Sequence, residues 1–163
     1  HLFGKPCFEV FAPGSEITSE FNDAMTNISA GTIPALLEAY SFSGIRTLVD
    51  IAGGHGKLIS TILSEYPQLN GILFDIDHVI AGATPLIQSR GLSNRLRTVS
   101  GNFFESVPKG GEVYLMQHII HDWDDEKALT ILKNTRHALE GVVGKMMVDS
   151  LGPLIYSNLV KPG

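Results

Sequence analysis

The stretch Leu48-Val49-Asp50-Ile51-Ala52-Gly53-Gly54-His55-Gly56 decides how this chain folds. A short apolar run closes on an acid and breaks into a glycine-rich turn. Lys57-Leu58-Ile59-Ser60-Thr61-Ile62-Leu63 then carries apolar residues at helical spacing. Strand, glycine turn and helix in that order open a nucleotide-binding α/β unit. Glycine has no Cβ to hold a ligand's polar groups off the backbone, and the first N–H groups of the helix have no partner within it. The spacing is G-G-x-G after D-I-A, not G-x-G-x-x-G. Lys57 is followed by Leu58, which excludes a P-loop.

Working outward, Arg46 to Ile51 reads as the first strand and Lys57 to Tyr66 as its helix, closed by Pro67. Gly71 to Asp75 is a second buried strand, again ending in an acid. Residues 78–90 look helical but carry Pro85, which predicts a kink or two short turns. Leu96 to Ser100, Glu112 to Gln117 and Lys145 to Asp149 follow as strands, with an irregular loop from Gly101 to Gly111. Asp125 to Leu139 is the clearest amphipathic helix, with Asp124 or Asp125 as its N-cap. Strands alternating with helices predict a mainly parallel sheet with helices on both faces. Ahead of this core, residues 1–14 read as a surface connector. Ser15 can cap a helix over 16–29 that sets Ile17, Phe21, Met25 and Ile28 on one face, and Pro34 fits the first turn of another ending near Phe42.

The bulk numbers narrow the function classes. A chain of 163 residues, 44% apolar, supports one domain with a real core. A net charge of −5 without clustered Lys or Arg argues against nucleic acid as a partner. One cysteine, Cys7, excludes an internal disulfide framework and suits a reducing cytoplasm. No apolar run reaches a membrane span. The chain starts at His1 and stops at Gly163 in mid-pattern, which reads as a piece of a longer protein.

In such sheets ligands sit outside the carboxyl ends of the strands. Asp50, Asp75, Gly101-Asn102, Gln117 and Asp149 lie there. Asp75 follows the glycine turn by about 20 residues, the offset at which an acid accepts ribose hydroxyls; the plainer alternative is a cap on the next helix. Asp50 either binds a ligand amine through water or ties down its own loop. His55 is expected to face solvent. His118-Ile119-Ile120-His121-Asp122-Trp123-Asp124-Asp125 follows the fourth strand. Two histidines and three acids invite a metal, but no spacing places a third or fourth ligand. An imidazole at the rim of a ligand site fits a general base better, and a structural histidine remains the bland alternative for either. Trp123 reads as a pocket wall or a hinge plug.

The order D-I-A-G-G-H-G, L-F-D, G-N-F-F-E-S-V-P, H-I-I-H-D-W-D-D-E-K-A and M-M-V-D-S resembles the S-adenosylmethionine-dependent O-methyltransferases. Within them it is similar to the metal-independent group of plant caffeate and flavonoid enzymes and bacterial antibiotic-tailoring enzymes. The resemblance implies a Rossmann-like methyltransferase fold, truncated at both ends, with a helical linker over 1–42 and the cofactor-binding catalytic core over 43–163. It implies that Gly53, Gly54 and Gly56 cradle the methionine end of S-adenosylmethionine, and Asp50 is counted among the cofactor-binding residues. Asp75 with Ile76 would hold the ribose side. Gly101, Asn102 and Phe103 would flank the adenine, and Gln117 would lie against the same ring.

Ser29 matches a position near the cofactor's carboxylate. Phe21 and Met25, with Asp122 and Trp123, match the acceptor side. His121 matches the catalytic base and Asp149 the acid that orients it, with no metal. The implied reaction passes a methyl group to a hydroxyl of a small, most simply phenolic, molecule in a homodimeric parent. The chain departs from the family pattern at four points: Ala52 stands for Gly, Asn102 for Asp, Gln117 for Lys and Asp149 for Glu. An NAD(P)-dependent oxidoreductase and a non-catalytic binding module are the rival expectations.

Overall fold

The computed structural model describes residues 33–141, 144–149 and 153–156. Its strands are β1 (Thr47–Ile51), β2 (Asn70–Asp75), β3 (Leu96–Ser100), β4 (Val113–Gln117), β5 (Lys145–Asp149) and β6 (Pro153–Tyr156). They form one sheet in the order β3-β2-β1-β4-β5-β6. The first five run parallel, and β6 returns antiparallel beside β5. The order reverses between β1 and β4, so a crevice opens at their carboxyl ends.

Helices cover both faces. Residues 33–39 form α1; α2 (Lys57–Glu65), α3 (Asp77–Ala81), α4 (Thr84–Ser89) and α5 (Asp125–Ala138) follow. Pro85 occupies the first turn of α4, where a missing N–H costs nothing, so the 78–90 stretch splits into two short helices. Of the two candidate caps of α5, Asp124 is the one used: its Oδ1 accepts the Lys127 N–H at 2.9 Å. Asp125 and Glu126 in the first turn and Arg136 and His137 in the last complement the helix dipole. Helix α1 stops short of Phe42, which is 1% exposed and packs edge-on against Tyr40 and Tyr66.

The period of two along each strand sorts the core. Leu48, Leu73, Val113 and Leu115 pack on Leu58, Ile59, Ile62 and Leu63 of α2. Val49, Ile51, Ile72, Phe74, Tyr114 and Met116 pack on Ile131 and Ala138 of α5. Each such side chain stabilises the fold by about 1.5–3 kcal/mol on burial. The same parity puts Asp50, Asp75 and Gln117 on the α2 face, two residues beyond Leu48, Leu73 and Leu115. Arg95 closes the far end of α2 by donating to the carbonyls of Leu63, Tyr66 and Leu69 at 2.9, 3.3 and 2.8 Å.

The turn after β1 is the tightest part of the chain. The Ala52 N–H donates to the Phe74 carbonyl at 2.7 Å, and this holds Ala52 at a φ of 54°. Left-handed backbone suits glycine better than alanine. A Cβ on Gly53 would come within 2.5 Å of Asp50 Oδ2 and 2.6 Å of Leu73 Cδ1. Neighbouring substitutions should therefore have opposite signs. Ala52→Gly should leave stability level or raise it by up to about 1 kcal/mol, and Gly53→Ala should lower it by about 1–3 kcal/mol. Urea unfolding of both variants checks this; equal and small effects would contradict it.

Candidate functional site

Asp50 is the penultimate residue of β1, with 1% of its surface exposed. Its Oδ2 has no hydrogen-bond partner, and it lies where a side chain on Gly53 would have to go. Burial, and then the neighbouring Asp75 charge, push its pKa from 3.8 up to about 7, against the pull of the Ile59 N–H. Asp75 ends β2 on the same face. Its Oδ2 accepts the Gly54 N–H at 2.9 Å and its Oδ1 the Ile76 N–H at 2.7 Å. Burial raises its pKa too, opposed by those two N–H groups and by His78 and His55. The N-cap of α3 is Ile76 and makes no side-chain cap bond, so Asp75 is not a helix cap. It ties the glycine turn to the end of β2, and each carboxylate oxygen keeps a second lone pair.

The turn forms a shallow cradle. Nothing lies within 4 Å of where a Cβ on Gly54 would stand, whereas one on Gly56 (φ 81°) would meet Leu73 Cδ2 at 2.9 Å. Space is therefore open on the Gly54 side and filled on the core side. Ile76, 45% exposed, is an uncovered apolar side chain beside it. His55 departs from expectation. It is half-buried, with its ring over Gly82, where an added Cβ would come within 2.7 Å of His55 Nε2. It does not simply face solvent.

Beyond β3, Gly101 passes close to Phe74, whose Cε2 would lie 2.7 Å from an added Cβ. Asn102 is turned onto its own loop: its Oδ1 accepts the Phe104 N–H at 3.0 Å and its Nδ2 donates to Glu105 Oε1 at 3.2 Å. Phe103 meets Phe104 and Trp123 edge-on, with centroids 4.7 and 5.9 Å away, and its carbonyl accepts from Asn134 Nδ2 at 2.8 Å. Trp123 also stands perpendicular to Phe104 at 4.8 Å, with Lys127 Nζ 5.6 Å from its ring centre. It wedges the exit of β4 against the loop after β3.

At that exit Gln117 is half-buried and His118 sits at a φ of 56° with a buried, unpartnered Nε2. The His118 ring meets His121 edge-on at 5.7 Å. His121 lies in a 3-10 turn (Ile120–Asp122), 42% exposed, with Nε2 3.3 Å from Asp122 Oδ1. Asp149 pairs in register with Gln117 at the end of β5, and its side chain lies outside the described part. Phe21, Met25 and Ser29 also lie outside the described residues. The others gather along one sheet edge.

Sequence reasoning missed Asn134 and Glu105. A lone Asn on a helix and a lone Glu in a loop give no signal of the contacts they make. Among the described residues no group of three or more His, Cys, Asp or Glu could hold a metal ion, and no helix is long and apolar enough to cross a membrane. A cavity of about 340 Å³ opens at the opposite, amino edge, beside Thr47, Asn70, Arg95 and Arg97. Of its two arginines, Arg95 is already spent on helix carbonyls.

The O-methyltransferase domain profile matches residues 1–157. The phenazine O-methyltransferase PhzM of Lysobacter antibioticus is 38% identical over 91% of this chain and 43% of its own length. A caffeic acid 3-O-methyltransferase of Zinnia elegans is 40% identical over 84% of this chain and 37% of its own. The chain thus spans well under half the length of these relatives. Among solved structures, an O-methyltransferase from neocarzinostatin biosynthesis, in complex with S-adenosylmethionine and 2-hydroxy-5-methyl naphthoic acid, superposes with a TM-score of 0.82. It is 27% identical over 90% of this chain and 45% of that one. With this strand order, this turn and these matches, the chain belongs to the O-methyltransferase domain family.

Proposed function

We propose that the chain is the cofactor-binding core of an S-adenosylmethionine-dependent O-methyltransferase that acts on a hydroxyl of a small aromatic molecule. The observation that carries the reading is one sheet edge holding three things: a glycine cradle open only on the Gly54 side, Asp75 with spare lone pairs, and the accessible imidazole of His121. The residues present fit an adenosine-bearing amino acid. The buried, partnerless Asp50 Oδ2 beneath the turn suits an ammonium, and Asp75 suits a pair of ribose hydroxyls. The relatives' names, phenazine and caffeic acid among them, favour an aromatic acceptor.

S-adenosylmethionine, when bound, supplies a methyl group already activated on a sulfonium. Gly53, Gly54 and Gly56 admit its methionine end, and Asp75 with Ile76 fixes the sugar side. Gly101, Asn102, Phe103 and Gln117 border the base. His121 takes the acceptor's hydroxyl proton, and its Nε2 lies 3.3 Å from Asp122 Oδ1 in the same turn. Asp149 is the acid we assign to orienting that ring. Trp123 stiffens the wall beside it, which would hold the acceptor hydroxyl in place, and alignment supplies much of the rate in such a transfer. Ser29, Phe21 and Met25 complete the cofactor and acceptor sides in the same reading, which includes a homodimer and a cytoplasmic setting.

Calorimetric titration of the full-length protein should show binding of S-adenosylhomocysteine and none of NAD. The reverse would hand the site to an oxidoreductase. His121→Ala should cut methylation of a phenolic acceptor by about 10²–10⁴-fold while leaving S-adenosylhomocysteine affinity within a few-fold. Unchanged turnover would make that imidazole structural and the general-base assignment wrong.

A further inference from the structure

Two carboxyl groups lie at the carboxyl ends of adjacent strands on one face, Asp50 one residue short of the end of β1 and Asp75 last in β2, and their surroundings differ. Asp75 spends both oxygens on N–H donors, from Gly54 and Ile76. Asp50 lies deeper, keeps one oxygen without a partner and, among the described residues, has only the Ile59 N–H pulling toward its charged form. Among the described residues no positive charge offsets it. Across β4 its register partner is Leu115, and α2 offers it only a backbone donor. The two histidines nearby, His55 of the turn and His78 of α3, act on Asp75. A buried carboxylate with an idle oxygen is costly, and protonation lowers that cost.

We infer that Asp50 carries a proton on Oδ2 in the cofactor-free protein and loses it to solvent when the ammonium of the cofactor's methionine moiety reaches the glycine turn, so that cofactor binding and release are coupled to proton exchange. The O–H bond at Oδ2 breaks, the carboxylate forms and pairs with the ammonium, and the proton leaves as buffer acid. This rests on the cofactor reading above and gives Asp50 a role distinct from holding the loop. The sign follows from the two states. Free Asp50 titrates near 7, and an adjacent positive charge lowers that value. Proton release is therefore largest below about pH 7 and fades above it. The ligand's own amine, with a pKa of about 8, would instead take up protons, and only toward higher pH.

The test is calorimetry of S-adenosylhomocysteine binding to the full-length protein at pH 6, in buffers of differing ionisation enthalpy. Release of roughly one proton per ligand is expected, falling toward zero by about pH 8.5. Asp50→Asn should lose most of that release, whereas the His55→Gln/His78→Gln double variant should keep it. Binding without proton release, or full release in the Asp50→Asn variant, overturns the inference alone. No binding at all takes the cofactor reading down with it. An infrared difference spectrum of the unmodified protein needs no variant. The carbonyl stretch of a protonated carboxyl should vanish on adding S-adenosylhomocysteine, and its persistence would overturn the inference as well.

Discussion

Asp75 accepts the Gly54 N–H at 2.9 Å, and through that bond the end of β2 holds the turn that ends β1. The Ala52 N–H reaches the Phe74 carbonyl one residue earlier, so the turn is fastened twice to the neighbouring strand. This double attachment seats Gly53 directly over Asp50 and leaves the Gly54 side open. It also brings the first turn of α2, with its N–H groups, to the place where the proposed cofactor would lie. If the turn detached, the two acids and the helix start would no longer share a site.

The arrangement is electrostatically expensive. Two acids share one face, burial raises both pKa values, and one of them lacks a donor for an oxygen. The Ala52 and His118 backbones sit in the left-handed region without being glycine. Such costs concentrate where a ligand or a reaction relieves them, which is why we place the proposed site at the sheet's carboxyl edge and not at the cavity of its amino edge. The aromatic group of Phe103, Phe104 and Trp123 serves a different end. It locks the loop after β3 to the exit of β4, and so fixes the distance between that loop and the turn that carries His121.

Much of this was legible in the residues because it rests on local rules. Short apolar runs marked β1, β2 and β4, the glycines marked the turn, and the offset to Asp75 marked an acid at the next strand end. Pro85 foretold the break between α3 and α4. The unreadable parts depend on contacts between distant segments. His55 packs over Gly82 because α3 folds back on the turn, which no neighbour of His55 announces. Asn134 anchors the Phe103 carbonyl across 31 residues, and the Asn102 amide is taken by Glu105. Whether Asp124 or Asp125 capped α5 was a matter of one φ/ψ pair, and the Asp124 backbone is the extended one.

The site thus reads as a cofactor floor laid by β1 and β2, with a proton-accepting imidazole raised beside it by β4. The most direct check is a crystal structure of the full-length protein with S-adenosylhomocysteine. The account predicts the ligand's amino acid end over Gly54, both ribose hydroxyls on the Asp75 carboxylate, and the His121 ring turned toward the sulfur. A ligand bound at the amino edge, or an Asp75 carboxylate still bonded only to Gly54 and Ile76 beneath a ligand bound elsewhere, would contradict it.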